Sequence, residues 1–192
     1  MIKAKVKGSK TLQEFHDSIK DQYKEAHGED YCKYYDDLQE LMSECESYKE
    51  LGVNQGAAVS AVLLGEHKPK RVHCVDLELT NFDECRDLFE SYTKEHGIEL
   101  IVQQCDSSSD DCASVTDMLF IDSSHHAGHT IVELMVHAPK TKKYIIAHDT
   151  SDNVRAGKQI HGVLMQHCEN FPEWKLHKRC QLNQGYTIIK RD

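Results

Sequence analysis

The chain has 192 residues, of which 39% are hydrophobic and 29% are charged, and its net charge at pH 7 is −9. This length fits a single domain with a sizeable core, and no stretch is long and apolar enough to predict a membrane span. The negative charge, without an extended basic run, argues against nucleic acid as a partner. Eight cysteines are scattered without a Cys-x-x-Cys pair, which favours reduced thiols and a cytoplasmic protein.

Two helices are predicted before the first strand. Apolar and aromatic side chains recur at helical spacing over residues 11–27 and again over residues 30–47. Thr11 and Glu14 have the spacing of a capping box at the start of the first helix. We therefore treat residues 1–47 as an N-terminal helical segment of the domain.

From residue 48 onward, short apolar runs alternate with helical stretches. The predicted strands are YKELGV, RVHCVDL, ELIVQQC, DMLFIDS and KYIIAHD. The predicted helices cover residues 57–66, 81–96, 109–115, 127–138 and 154–170. This alternation is typical of a mainly parallel sheet with helices on both faces, and the terminal runs WKLHKRCQL and GYTIIKR predict a closing antiparallel hairpin. We predict one domain over residues 1–192, with its core over residues 48–192.

The first predicted strand leads into a glycine-containing turn, ELGVNQGAA. Glu50, Gly52 and Gly56 form an acid-x-Gly-x-x-x-Gly pattern, in which glycines let the backbone turn tightly and approach a ligand. Asn54 stands where a nucleotide-binding loop often has another glycine. An ordinary strand-to-helix loop is therefore the alternative interpretation of this motif.

Acidic residues end the next two predicted strands. Asp76 follows Gly56 by 20 residues, a spacing at which an acid can hydrogen-bond the hydroxyls of a ribose. Asp106 ends the third strand, where it is placed either to reach an adenine amino group or to start a helix, since Asp-Ser-Ser-Ser is also a good helix start.

Titratable residues crowd the ends of the fourth and fifth predicted strands. Asp122 and His125 follow the fourth strand, and Asp149 follows the fifth. Because the carboxyl ends of parallel strands meet at one edge of a sheet, these groups would share a crevice and need water, a metal or a substrate to compensate their charge. We predict a functional role for these three residues, and an exposed helix start for His126 and His129.

Taken together, ELGVNQGAA with Asp76, FIDSSHHAGHTIVELMVHAPK and YIIAHDTSD resemble the class I S-adenosylmethionine-dependent methyltransferases. The most similar subgroup is the cephalosporin-hydroxylase-like, rhamnosyl and sugar O-methyltransferases. The resemblance covers residues 48–192. It implies an α/β, Rossmann-like sheet of seven strands with the last strand antiparallel, preceded by a segment that covers the substrate or forms a homodimer.

The resemblance also implies roles for individual residues. S-adenosylmethionine would be bound by Glu50, Gly52, Asn54, Gly56, Asp76 and Asp106. A divalent cation, Mg²⁺ or another, would be held by Asp122 and Asp149. Thr150 departs from the pattern, because metal-dependent relatives often have Asp or Asn at that position and a hard cation prefers carboxylate and carbonyl ligands.

The predicted activity is methyl transfer to a small-molecule or sugar hydroxyl by in-line displacement. The hydroxyl would be activated by His125 as general base or by a metal on Asp122 and Asp149. Two alternatives stay open: a non-haem iron hydroxylase with a two-His-one-carboxylate site, and a non-catalytic protein that keeps the fold. A dinucleotide oxidoreductase is disfavoured, because GVNQGA is not G-x-G-x-x-G.

Overall fold

A seven-stranded sheet forms the centre of the protein in a computed structural model that describes residues 8–192. The strands are β1 (Ser47–Leu51), β2 (Arg71–Asp76), β3 (Glu99–Gln104), β4 (Thr116–Ile121), β5 (Thr141–His148), β6 (Trp174–Cys180) and β7 (Tyr186–Arg191). Their order in the sheet is β3-β2-β1-β4-β5-β7-β6. Strand β7 is antiparallel to its neighbours β5 and β6, and the other six strands share one direction. The prediction of a Rossmann-like, mainly parallel sheet with an antiparallel last strand is confirmed.

Helices cover both faces of the sheet. They are α1 (Leu12–His27), α2 (Lys33–Met42), α3 (Ala57–Leu64), α4 (Thr80–Asp83), α5 (Arg86–Glu95), α6 (Ala127–His137) and α7 (Gly157–Asn170). The two predicted N-terminal helices are present, although the second begins at Lys33 and ends at Met42 rather than covering residues 30–47. The Thr11 side chain accepts a hydrogen bond from the Glu14 N–H at the start of α1. The first seven residues of the predicted 1–47 segment lie outside the described residues. Within residues 8–192, no helix is long and apolar enough to cross a bilayer.

The two faces of the sheet are buried in two separate apolar clusters. Helices α1, α2, α3 and α5 pack on one face and α6 and α7 on the other. Because successive side chains of a strand point to opposite faces, Met118 and Phe120 of β4 join the first cluster, while Leu119 and Ile121 join the second. Burial on both faces explains why the parallel strands read as continuous apolar runs rather than alternating ones.

Two helix predictions were wrong in detail. The helix predicted over residues 109–115 is only a 3₁₀ turn at Asp110–Cys112, because so short a stretch has too few hydrogen bonds to offset the cost of nucleating a helix. The helix predicted over residues 81–96 is divided into α4 and α5. Cys85 interrupts it with non-helical dihedral angles (φ −130°, ψ 6°), and its thiol lies 3.3 Å from the carbonyl oxygen of Gln55.

The order of strands places the ends of β1 and β4 side by side. Leu51 pairs with Ile121 in the parallel ladder between them, and the N–H of Asp122 donates to the carbonyl oxygen of Leu51 at 2.8 Å. Chain connections leave β1 and β4 in opposite directions across the sheet, so a crevice opens between their loops. Strand β5 continues the same edge, since Ile121 pairs with Ala147.

Candidate active site

The loops after β1 and β4 touch through a glycine. Gly52 has a φ of +88°, and a Cβ atom at this position would lie 2.3 Å from the carbonyl oxygen of Asp122. A side chain there would push the two loops apart, and the left-handed backbone would be strained as well. Gly52 is therefore required for the close approach of these two strand ends.

Asp76 ties the loop after β1 to the loop after β2. One carboxylate oxygen accepts from the N–H of Asn54 at 2.8 Å, and the other accepts from the N–H of Glu78 at 3.1 Å. The amide of Asn81 in turn donates to the side-chain oxygen of Asn54 at 2.8 Å. These bonds leave the outer lone pairs of the Asp76 carboxylate available to a ligand, because an ionised carboxylate can accept about four hydrogen bonds.

Gly56 packs against aromatic rings in the structure. Its φ is +81°, and a Cβ atom would lie 2.6 Å from the ring of Phe89. It precedes α3 and lets the rings of Phe82 and Phe89 approach the start of that helix, and it is not among the residues that line the loop cavity or the aromatic cavity defined below. Ligand binding by Gly56 stays a prediction.

A cavity of about 330 Å³, here called the loop cavity, lies between the loops that follow β1, β2, β3 and β4. Its lining includes Gly52, Asn54, Asp76, Leu77, Asp106, Ser107, Asp122 and His129. The Leu77 side chain is 70% exposed and gives this polar cavity an apolar patch. Hydrogen bonds from the hydroxyl and the N–H of Ser108 hold the Asp106 carboxylate and lower its pKa. Four of the six residues predicted to bind cofactor therefore line one cavity.

A second cavity of about 320 Å³, here called the aromatic cavity, lies beneath α1 and α2. Its lining includes Tyr23, His27, Tyr31, Tyr34, Glu50, Gly52, Asn54, Asp122, His125, His148, Asp149 and Gln184. Glu50 is buried and accepts a hydrogen bond from the Tyr48 hydroxyl at 2.6 Å. Burial raises the pKa of Glu50 well above its usual range, which favours the neutral carboxyl group, whereas a nearby cation would favour the ionised one.

Four titratable side chains meet in what we call the crevice cluster: Asp122, His125, His148 and Asp149. Nδ1 of His125 lies 2.6 Å from Oδ2 of Asp149. Nδ1 of His148 lies 3.3 Å from Oδ1 of Asp122 and 3.2 Å from Oδ1 of Asp149. The three residues predicted at these strand ends are brought together, and His148 joins them as a fourth.

Charges within the crevice cluster shift its pKa values in opposite directions. Burial would lower the pKa of His148, but the carboxylates of Asp122 and Asp149 outweigh burial and raise the pKa to about 10. The hydrogen bond with Asp149 likewise raises the pKa of His125. Burial would raise the pKa of Asp149, but the two histidines outweigh it and lower the pKa. With no other cation present, His148 is therefore an imidazolium at neutral pH.

Strained backbone is concentrated around the two cavities. Among residues 8–192, the non-glycine residues with positive φ are Asn54, His125, Asp149 and Asn183, at 47°, 49°, 56° and 53°. The first three line one or both cavities. Such conformations cost on the order of 1 kcal/mol or more each and persist where the surrounding structure enforces them, often at functional sites.

Several lining residues were missed or misjudged from the sequence. His148 lies inside the predicted strand KYIIAHD, next to its last residue, and was not predicted as a site residue. Tyr23 of α1 reaches the cavity through tertiary packing. His129 was expected on an exposed helix start, but its Nε2 lies 2.9 Å from the Ser107 hydroxyl and 3.3 Å from Oε1 of the buried Glu133. His126, by contrast, is exposed as predicted.

The donor set fits a divalent cation. In the described part of the chain, ligand atoms of Asp122, His148 and Asp149 all lie within 4.8 Å of one another. One N–H of His148 faces two carboxylate oxygens, and neither contact has hydrogen-bond geometry, so both Oδ1 atoms are buried without a hydrogen bond. Thr150 faces away from this point: it is fully buried, and its hydroxyl accepts from Thr187 at 2.9 Å.

Solved structures of methyltransferases share this fold. An O-methyltransferase from Bacillus cereus in complex with S-adenosylhomocysteine (SAH) superimposes with a TM-score of 0.65 at 13% identity, over 97% of this chain and 93% of that one. A SAH-bound methyltransferase from Podospora anserina gives 0.54 at 16% identity, over 81% and 76% of the two chains. An O-methyltransferase family protein from Burkholderia thailandensis gives 0.63 at 12% identity, over 93% of this chain and 60% of that one.

The sequence matches no protein-family model and no curated protein. At 12–16% identity, the likeness to the solved structures establishes the fold and nothing finer. The chain has the Rossmann-like fold of the class I methyltransferases.

Proposed function

We propose that this protein transfers a methyl group from S-adenosylmethionine to a hydroxyl group of a small molecule or sugar. The observation that carries this proposal is that the two cavities adjoin, since Gly52, Asn54 and Asp122 line both of them. A cofactor in one cavity can then present its methyl group to an acceptor in the other. Each cavity has a volume at the lower end of the range for small-molecule sites.

The loop cavity suits the cofactor. Asp76 offers acceptors for the ribose hydroxyls, the exposed Leu77 offers an apolar surface for the adenine ring, and Asp106 offers an acceptor for its amino group. Glu50 lies where the two cavities approach each other, and its buried carboxyl has one hydrogen-bond donor in Tyr48. The ammonium group of a bound methionine moiety would supply the cation that ionises Glu50.

The aromatic cavity suits the acceptor. Tyr23, His27, Tyr31 and Tyr34 contribute aromatic rings to its wall, and the His27 and Tyr31 rings are stacked with centroids 4.3 Å apart. Such a wall favours an acceptor with a flat or ring-shaped body. The crevice cluster lines the same cavity and would face the hydroxyl of that acceptor.

In the transfer step, the bond between sulfur and the methyl carbon breaks as a bond from that carbon to the acceptor oxygen forms. The hydroxyl proton must leave, and His125 is the base that we assign to it. The pKa of His125 is raised by Asp149, so His125 becomes neutral at higher pH, or when a cation offsets the charge of Asp122 and Asp149. A divalent cation bound there would also lower the pKa of the acceptor hydroxyl.

Calorimetry with SAH tests the cofactor assignment. We expect SAH to bind the wild-type protein, and Asp76→Ala to weaken binding by about 1.5–3 kcal/mol, the scale of hydrogen bonds to a charged group. Asp87→Ala removes an exposed acid of α5 outside both cavities and should leave the affinity unchanged. Asp76→Asn, which keeps one oxygen for the Asn54 N–H, controls for loss of the loop conformation.

Folded wild-type protein that binds no SAH would contradict the proposal, as would unchanged affinity in Asp76→Ala. The proximity of His125, His148 and Asp149 also keeps an iron-dependent hydroxylase as a second candidate. Oxygen consumption that requires Fe²⁺ and proceeds without S-adenosylmethionine would favour that candidate instead.

A further inference from the structure

The nitrogen ligand in the crevice cluster is fixed by aromatic packing. The ring centroid of His148 lies 4.7 Å from that of Tyr34, 6.2 Å from that of Phe120 and 6.3 Å from that of Tyr31. The His148 side chain is only 6% exposed. Since the ring cannot leave without opening this aromatic packing, Nδ1 stays directed at the carboxylates of Asp122 and Asp149.

The carboxylates are oriented so that one oxygen of each faces this nitrogen. The second oxygen of Asp149 is held by His125 at 2.6 Å, which turns its Oδ1 toward His148. A histidine that holds the outer oxygen of a ligating carboxylate is the kind of support that metal ligands usually have. The Oδ1 atoms of Asp122 and Asp149 then lie buried with no hydrogen bond and with only the His148 ring facing both of them, so a bound cation would take the place of the His148 proton between the two carboxylates.

We infer that Asp122, His148 and Asp149 form a binding site that selects a first-row transition-metal ion over Mg²⁺. Mg²⁺ takes oxygen ligands and keeps several waters, whereas an imidazole nitrogen suits zinc, iron, nickel and related ions. Two carboxylate oxygens and one imidazole nitrogen also leave coordination positions open toward the aromatic cavity. For what the ion does, this inference rests on the proposed function, but ion binding itself is measured without an acceptor.

Titration of metal-free protein with Co²⁺, followed by visible absorption and by calorimetry, tests the inference. We expect Co²⁺ to bind at least about 100-fold more tightly than Mg²⁺, with a d–d absorption band that reports a nitrogen ligand. His148→Asn should weaken Co²⁺ binding by at least about tenfold, and it should therefore narrow the difference in affinity between Co²⁺ and Mg²⁺. Asp149→Asn should weaken the binding of both ions. Because Asn tolerates the left-handed backbone at position 149, this substitution should not disturb the fold.

A matched control uses the exposed His126 at the start of α6, which contributes no ligand to the cluster. His126→Asn should leave Co²⁺ binding unchanged, because Asn is also a good N-cap residue. Circular dichroism of each variant checks the fold. If His148→Asn does not fold, the affinities for Co²⁺ and Mg²⁺ of the wild-type protein and of Asp149→Asn still test whether the site selects a transition-metal ion.

Equal affinity for Co²⁺ and Mg²⁺ would overturn the inference, and so would Co²⁺ binding that His148→Asn leaves unchanged. Wild-type protein that binds SAH but neither ion would also overturn it, since His148 itself would then be the cation between Asp122 and Asp149. In that outcome the proposed methyl transfer stands. Failure of the folded protein to bind SAH, with Co²⁺ still bound, would reject the proposed function and leave the metal site intact.

Discussion

The crevice cluster and a second group of titratable side chains differ in whether their polar atoms find partners. The crevice cluster borders a cavity and leaves carboxylate oxygens without hydrogen bonds. A second group, here called the inner cluster, comprises Lys49, His73 and His137 and is buried between the sheet and α6. Lys49 donates to the carbonyl oxygen of Cys112, and Nε2 of His137 lies 2.8 Å from the carbonyl oxygen of Ser107.

The neighbouring charges shift the histidine pKa values in opposite directions in the two clusters. Burial lowers the pKa of Lys49 to about 8 and, with help from the Lys49 charge, lowers the pKa values of His73 and His137 to about 4. Carboxylates instead raise the pKa values of both crevice histidines. Histidines in a buried and satisfied network are neutral and structural. Those beside unsatisfied carboxylates are poised to bind a cation or exchange a proton.

The largest expected difference between the two clusters is the effect of a histidine substitution on the rate of methyl transfer. His125→Asn should reduce methyl transfer at least about 100-fold, the usual contribution of a general base, while SAH affinity stays within twofold. His73→Asn in the inner cluster should leave the rate per folded molecule unchanged. The measurement is transfer of labelled methyl groups to the hydroxyl acceptor that a compound screen identifies. Equal loss in both variants would remove the functional distinction between the clusters.

Substitutions in the inner cluster should lower the stability of the fold more than substitutions in the crevice cluster. His137→Ala should lower the free energy of unfolding by about 2–4 kcal/mol, because it opens a cavity, leaves the Ser107 carbonyl without its His137 partner and removes one of the two polar contacts of Lys49. His125→Asn should change it by less than about 1 kcal/mol, since His125 is one-third exposed. Urea unfolding of metal-free protein measures both values. If His125→Asn lowered the free energy of unfolding more than His137→Ala, the crevice cluster would be the one that stabilises the fold.

A smaller effect should appear as a pH dependence of the inner cluster. The pKa values of His73 and His137 lie near 4 when folded, below their ordinary value of 6.5, and the neighbouring charges are the cations Lys49, Arg71 and Lys140. Between pH 6.5 and 4 the unfolded chain binds more protons, so the free energy of unfolding falls as the pH falls, by up to about 2–3 kcal/mol for each histidine.

Urea unfolding at a series of pH values, for wild-type protein and His73→Asn, checks this dependence. We expect a shallower slope between pH 6.5 and 4 in the variant, because one of the two buried histidines no longer titrates. Parallel curves would mean that carboxylates elsewhere in the chain account for the whole dependence.

The fold and much of the candidate site could be predicted because their signals are local. Strands buried on both faces are continuous apolar runs, and each is followed by the polar residues that begin its loop. Asp76, Asp122 and Asp149 could therefore be placed at one edge of the sheet before any coordinates. The ligand roles of these residues remain predictions that the experiments above address.

The remaining features depend on contacts between distant parts of the chain. His148 was counted as part of an apolar strand, and only the pairing of β5 with β4 turns it toward Asp122. Tyr34 of α2 shows the periodicity of a core residue, which it also is, and its place in a cavity wall follows from its packing against Phe120 and His148 of distant strands. Lys49 lies in a strand and gives no local sign of its network, because its partners, including His137, lie in later elements.

The left-handed backbone at Asn54, His125 and Asp149 has a consequence for sequence variation at this site. Glycine and asparagine adopt that conformation most easily, so a variant library selected for folding alone should be enriched in these two residues at positions 125 and 149. Selection for turnover must instead retain an imidazole and a carboxylate there, which this backbone accepts less readily than glycine. The two selections therefore compete at the same codons, and the most stable sequences at positions 125 and 149 are expected to be inactive.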